Sequence, residues 1–219
     1  MIVDKTLIFV DGENLIRRYE EMVKGGRIPR PDNVYIKGSF VWNQRVLDDQ
    51  LWDVKRLSYY THAVGDDNTV QSVRQKISAT VFRCTTDPKN QLSFSGQIIP
   101  FVRKKLSKAK KESICDISIA VDVMRACYRD HAEAIWLFSG DGDFVQLVEE
   151  AVHAGKRVYQ SAFSSGLNDE LRYVVDEFIL LDNFFFLTED ELAAAAELEN
   201  DASKTFDLES LKPSGDKNT

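Results

Sequence analysis

The stretch Thr6 to Val10 (TLIFV) runs without a charge straight into Asp11. A run this short and this continuous suits a strand buried on both faces of a parallel sheet. A second run, Ala134 to Phe138 (AIWLF), ends the same way, at Ser139-Gly140-Asp141-Gly142-Asp143. Each is followed by apolar residues at helical spacing: Leu15, Ile16, Tyr19 and Met22 after the first, and the segment Phe144 to Ala154 after the second. Strand, acidic turn, helix is the unit that repeats.

The rest of the chain extends that pattern. Lys55 to Thr61, Ala79 to Cys84, Lys156 to Ser161 and Glu177 to Leu181 read as further strands, and Asn68 to Ile77, Ser113 to Tyr128 and Leu167 to Val174 as helices. Gly155 suits the position just past the helix that ends at Ala154. Residues 23 to 50 hold Gly25, Gly26, Pro29 and Pro31 and an irregular apolar pattern, so they read as an insertion containing a strand or hairpin. Residues 87 to 96 read as a loop. The expected fold is α/β, a mostly parallel sheet flanked by helices on both faces, occupying residues 1 to 187. Thr188-Glu-Asp-Glu191 is a capping box that opens an acidic helix to about Leu198, followed by a polar tail that reads as disordered to residue 219.

In such a sheet, ligands bind beyond the carboxyl ends of the strands. Asp11, Asp141 and Asp143 fall there, and Asp116 opens the strongest helix, with Asp122 six residues on. Carboxylates converging on one edge repel each other unless a cation neutralises them, and oxygen ligands select hard ions such as Mg²⁺ or Mn²⁺. Such ions can activate water and stabilise a leaving oxygen in phosphodiester cleavage. Capping competes with ligation for several of these residues: Asn14 for the first helix, Asp143 for the helix from Phe144, Asp116 in a box begun by Ser113. Asp11 has few capping duties to expect. Six residues turn the chain by about 120°, so Asp116 and Asp122 cannot both point into one small site. Asp116 is assigned to the metal and Asp122 to its edge.

Charge does not exclude nucleic acid. The net −7 is concentrated after residue 187, where nine acids face three bases; the first 187 residues carry 26 acids and 25 bases. Local patches decide such binding. Between Arg103 and Lys111 six of nine residues are basic: Arg103, Lys104, Lys105, Lys108, Lys110 and Lys111. An isolated run of this kind is usually a solvated loop. Leading into a helix that carries Asp116, it reads as a clamp on a phosphate backbone. Trp42, Tyr59, Tyr60 and Phe94 can either stack unpaired bases or pack in the core. Cys84, Cys115 and Cys127 form no C-x-x-C pair, and the three histidines are scattered, so neither a zinc site nor a Cys–His pair is indicated. No apolar stretch is long enough to cross a bilayer and the N-terminus lacks a signal-peptide pattern, so no membrane partner and a cytoplasmic location are expected.

Three segments together resemble the NYN family, PIN-like nuclease domains related to bacterial LabA-type proteins: Phe9-Val-Asp-Gly-Glu-Asn14, Cys115-Asp-Ile-Ser-Ile-Ala-Val-Asp-Val-Met124 and Ser139-Gly-Asp-Gly-Asp-Phe144. The stretch Leu147 to Val158, with Ala154-Gly-Lys-Arg157, is similar to the family's helix-then-strand continuation. The resemblance implies a metal-dependent ribonuclease in which Asp11, Asp116, Asp141 and Asp143 hold Mg²⁺ or Mn²⁺. It also implies that Asn14 assists at the metal or a phosphate, and that Ser139 positions a phosphate or water. Ile114-Cys115 stands where the family usually has Gly-Val, which leaves Asp116 in register. The expected activity is hydrolysis of single-stranded RNA, with 5′-phosphate and 3′-hydroxyl products. The alternative is an NYN-type module that binds RNA or protein without cutting. A haloacid dehalogenase-type phosphatase wants Asp where position 13 is Glu, and the acceptor Asp and the later Lys of a receiver domain are not evident.

Overall fold

The computed structural model describes residues 3–48, 51–87, 92–105, 114–129, 131–195 and 197. Among the described residues ten strands are formed: β1 (Lys5–Asp11), β2 (Val34–Ile36), β3 (Phe40–Trp42), β4 (Asp53–Val64), β5 (Val81–Asp87), β6 (Leu92–Gln97), β7 (Ile99–Lys105), β8 (Ala134–Phe138), β9 (Arg157–Ala162) and β10 (Glu177–Leu180). The helices are α1 (Gly12–Lys24), α2 (Arg45–Asp48), α3 (Asp67–Ser78), α4 (Ile114–Tyr128), α5 (Val145–His153), α6 (Asp169–Val174) and α7 (Asp182–Phe185). Six strands form one wholly parallel sheet in the order β10-β9-β8-β1-β4-β7. Order reverses between β1 and β8, which puts a crevice at their carboxyl ends.

The two apolar runs are central because both of their faces are covered. Ile8, Val10, Trp136 and Phe138 join one core with α1, α3 and the β2–β3 hairpin. Phe9, Ile135 and Leu137 join the other with α4 and α5. This is the period-two alternation of a strand expressed in a sequence with no polar alternation. α4 buries Cys115, Ile119, Val123 and Ala126, one stripe at spacings of four, four and three.

Two expectations need correction. The strand expected over Ala79 to Cys84 exists as β5, but it lies outside the main sheet, paired antiparallel with β6, which occupies the expected loop at 87–96. Phe82 and Cys84 are buried while Val81 and Arg83 are exposed, so only one face is covered, as suits a hairpin rather than a central strand. The sixth strand of the sheet is β7, which carries Pro100 and the first half of the basic run. An edge position tolerates both proline and lysine.

The insertion is part of the core. Its β2–β3 hairpin buries Phe40 and Trp42 against Tyr59 and Phe138, with ring centroids 4.7 Å and 5.9 Å apart. Its start is tied to the far end of the chain through Arg30, 8% exposed. Arg30 donates from Nε to the Asn183 carbonyl at 2.8 Å and grips Glu191 through both terminal nitrogens at 2.8 and 2.7 Å. Glu191 also accepts from Thr188 N, while Thr188 Oγ1 accepts from Glu191 N: the expected capping box, formed. The guanidinium holds the Glu191 carboxyl down at about 2. Arg30→Met is expected to lower stability by about 2 kcal/mol in urea unfolding, because the Asn183 carbonyl loses a buried charged donor. The segment from Thr188 should become sensitive to brief proteolysis. A depressed carboxyl stabilises fully above its unfolded pKa and loses that contribution as pH falls towards about 2, so wild type should lose the tether in acid.

Candidate active site

β1 passes into α1 with no intervening loop, and Asp11 is the residue at the joint. It is 2% exposed, and its Oδ1 accepts the Asn14 backbone N–H at 3.0 Å. Asp11 is thus the N-cap of α1, a duty the sequence did not lead us to expect of it. Its other oxygen, Oδ2, accepts the Ser139 hydroxyl at 2.8 Å across the β1–β8 crevice. Ser139 Oγ in turn accepts the Asp141 N–H at 3.2 Å, and Asn14 Oδ1 accepts from Gly140 N at 3.4 Å. Gln160 on β9 fixes the turn by donating to the Ser139 carbonyl at 2.6 Å. The two acidic turns of the sequence are locked to each other.

This framework leaves Asp11 electrostatically strained. Burial first, against the two hydrogen bonds, and then the charges of Asp116 and Asp141 together push its carboxyl up to about 7. Those two acids are therefore near enough to act on it, one from the first turn of α4 and one from the turn after β8. The Cys115 thiol is pushed up to about 12 by burial, then by Glu13, Asp11 and Asp116, so it is a protonated, packed group and no nucleophile. Asp143 lies in a 3-10 turn (Gly142–Phe144) and is exposed; the capping there falls to Asp141, whose Oδ1 accepts the Asp143 N–H at 3.2 Å.

Other candidates lie elsewhere. Asp122, one-third of a turn away from Asp116, accepts the Tyr60 hydroxyl at 2.8 Å and pairs with Arg125. It sits in a separate cavity beside Phe9 and Phe101, so helical phase removes it from the ligand set. Of the basic run, Arg103 and Lys104 are exposed on the edge strand, with Lys104 Nζ 2.8 Å from Asp67. Lys105 is turned inward, 4% exposed, and its Nζ lies 2.9 Å from Glu13. A buried ammonium already paired cannot act as a surface clamp. Lys108, Lys110 and Lys111 lie outside the described residues. Trp42, Tyr59 and Tyr60 are core residues; Phe94 remains exposed.

The sequence also hid a second charged cluster beside the first. Glu13, adjacent to the Asp11 turn, has His62 Nδ1 at 3.1 Å as well as Lys105. The imidazole pulls the Glu13 carboxyl down to about 2, against burial, and Lys105 adds to the pull. The signal was present only as an acid inside Asp-Gly-Glu-Asn; its partners come from β4 and β7.

Among the described residues no three of His, Cys, Asp and Glu are gathered into a ready metal cage. The donors nonetheless fit a divalent ion. They are oxygens, they crowd a buried carboxylate that among the described residues accepts only from neutral donors, and Mg²⁺ commonly takes just one or two carboxylates and keeps several waters.

Residues 5–182 match the family model described as "NYN domain". A solved structure of a protein of unknown function from Vibrio parahaemolyticus is similar, with a TM-score of 0.55 and 19% identity, over 84% of this chain and 97% of that one. That likeness concerns the fold. No curated protein matches the chain. Among the described residues, no helix is long and apolar enough to cross a membrane.

Proposed function

The chain belongs to the NYN domain family, part of a PIN-like nuclease superfamily, and from that premise we propose that it is a divalent-metal-dependent ribonuclease acting on single-stranded RNA. The observation that carries the reading is Asp11: buried at the sheet's topological switch point, pushed up to about 7, with Asp116 and Asp141 beside it. A structural carboxylate would be paired with a cation; this one faces more negative charge.

Asp11, Asp116 and Asp141 would hold Mg²⁺ or Mn²⁺, with Asp143 at the exposed rim. When bound, the ion supplies charge stabilisation for the phosphate and activation of the attacking water. The chain's own groups supply position. Ser139 donates a hydrogen bond to Asp11 and is 1% exposed, so it orients that carboxylate rather than touching substrate. Asn14 has its Oδ1 fixed by Gly140 and its Nδ2 without an acceptor among the described residues, a buried donor that a phosphate oxygen would satisfy. Water would attack phosphorus in line with the departing 3′ oxygen, leaving 5′-phosphate and 3′-hydroxyl ends.

End-labelled single-stranded RNA and the matching DNA strand, incubated with Mn²⁺, test this. Removing a group that only orients a ligand costs 10- to 100-fold, so loss of a ligand in Asp141→Asn should cost at least about 100-fold. Asp122→Asn should stay within about twofold of wild type, since its carboxylate serves Tyr60 and Arg125. Equal cleavage by wild type and Asp141→Asn would mean a contaminating nuclease. Tight binding in EDTA with no cleavage in any metal would make the chain a binding module instead.

A further inference from the structure

A shallow pocket of about 260 Å³ opens beside Asp141, between the first turns of α1 and the chain that leads into α6. Its walls are Asn14, Arg17 and Arg18, and its floor is backbone at Gly140, Gly142 and Gly166. The floor is bare by necessity. A Cβ on Gly166, which has φ +68°, would run into the Arg18 guanidinium, and one on Gly142 into the Asn168 amide. Two donors here are shut off from water with no acceptor among the described residues: Asn14 Nδ2, on a side chain only 6% exposed, and Arg18 Nε. The amide cannot be turned to relieve this, because its oxygen already takes the Gly140 N–H. Arg18 is only partly occupied, through Nη1 to a half-exposed Glu21 at 2.9 Å.

Each buried donor left unpaired costs about 1–3 kcal/mol, and two in one cationic pocket call for an anion that accepts from both. A tetrahedral oxyanion has the acceptors, and an arginine fork matches its geometry. Asp141, the acid on the lining, repels an anion from the metal side and leaves the arginine side as its seat. Building on the ribonuclease reading, we propose that this pocket binds the RNA phosphate next to the one cleaved. The occupant is either an internal backbone phosphate or a terminal 5′-phosphate.

Binding is measured in EDTA, so that it does not depend on cleavage. A fluorescein-labelled RNA decamer is titrated into wild type, Arg17→Gln, Arg18→Gln and Arg18→Lys by anisotropy at several salt concentrations. Inorganic phosphate serves as competitor, and thermal melts confirm folding. Each glutamine variant should bind about tenfold more weakly, with the slope of log K against log salt shallower by about one. Arg18→Lys should recover part of the affinity. Loss of binding with a 5′-hydroxyl decamer identifies the terminal phosphate; equal binding of 5′-hydroxyl and circular RNA identifies an internal one. Unchanged affinity and slope in both glutamine variants, or no binding of RNA or phosphate by wild type, overturns the pocket. Arginine-dependent binding without cleavage in Mn²⁺ keeps the pocket and overturns the nuclease; cleavage indifferent to both arginines does the reverse.

Discussion

Asp11→Asn is expected to reduce RNA cleavage at least about a thousandfold, and at the same time to make the metal-free protein harder to unfold. The first effect follows from removing the central negative charge around which Asp116 and Asp141 are disposed. The second follows from the same crowding. A carboxyl whose folded pKa stands near 7 against an ordinary 3.8 destabilises the fold when ionised, and three units correspond to about 4 kcal/mol at most. The penalty is absent below about pH 3, where the group is neutral in both states; it builds as pH rises through 3.8 towards 7, and is flat above. Asparagine keeps the acceptor for the Asn14 N–H and presents an amide to Ser139 and to the neighbouring acids. In EDTA at pH 8 the variant should gain about 2–4 kcal/mol by chemical denaturation, and well under about 1 kcal/mol at pH 4. A variant that cleaves like wild type removes the metal reading. One that is less stable than wild type at pH 8 removes the electrostatic account.

Gly12→Ala should do nearly as much damage by a different route. α1 leaves β1 so abruptly that its first residue lies on β4. A Cβ at Gly12 would meet the backbone oxygen of Tyr60 at 2.7 Å and Tyr59 Cδ1 at 2.9 Å, with Tyr59 Cε1 nearer still. Neither can give way. One is backbone in the sheet; the other belongs to a fully buried ring whose hydroxyl contacts the Val41 N–H and carbonyl. The helix must lift off instead, at a cost of about 3 kcal/mol, the upper end for overpacking. That corresponds to a fall of roughly 10 °C in melting temperature for a domain of this size. Lifting α1 also shifts Asp11 and Asn14, and a displacement near 1 Å can cost about 100-fold in rate. Gly155→Asn is the control, because its added Cβ meets nothing within 4 Å and asparagine tolerates a φ of +78°. If Gly12→Ala melts within about 2 °C of wild type, the close packing has been misread.

These two residues also mark how far the sequence could be read. Asp11, Gly12 and Asn14 were visible as a turn after an apolar run, and Ser139 to Asp143 as its counterpart. Continuous apolar runs have few alternatives to burial between helices, so the two central strands and the acids at their ends follow from local composition. What Gly12 is for was invisible, since the atoms it avoids lie almost fifty residues away. β7 was hidden because an edge strand can carry Arg103 and Lys104 in solvent while β4 holds its other side. The inward turn of Lys105 depends on Glu13, which sits in another element.

The sequence by itself determined that this chain builds a parallel α/β sheet, which ends of which strands carry the acids, and the family it belongs to. The sheet and the places of the acids are matters of periodicity and order along the chain; the family rests on the resemblance of three motifs and on the match over residues 5–182. Only the tertiary structure decided that Asp11 caps its own helix, that Asp122 serves Tyr60 rather than the site, and that Arg17 and Arg18 face the same crevice as Asp141. The reason is physical. Charge pairing, desolvation and close approach depend on distances between segments far apart in sequence, and those distances exist only once the sheet has brought β1 and β8 together.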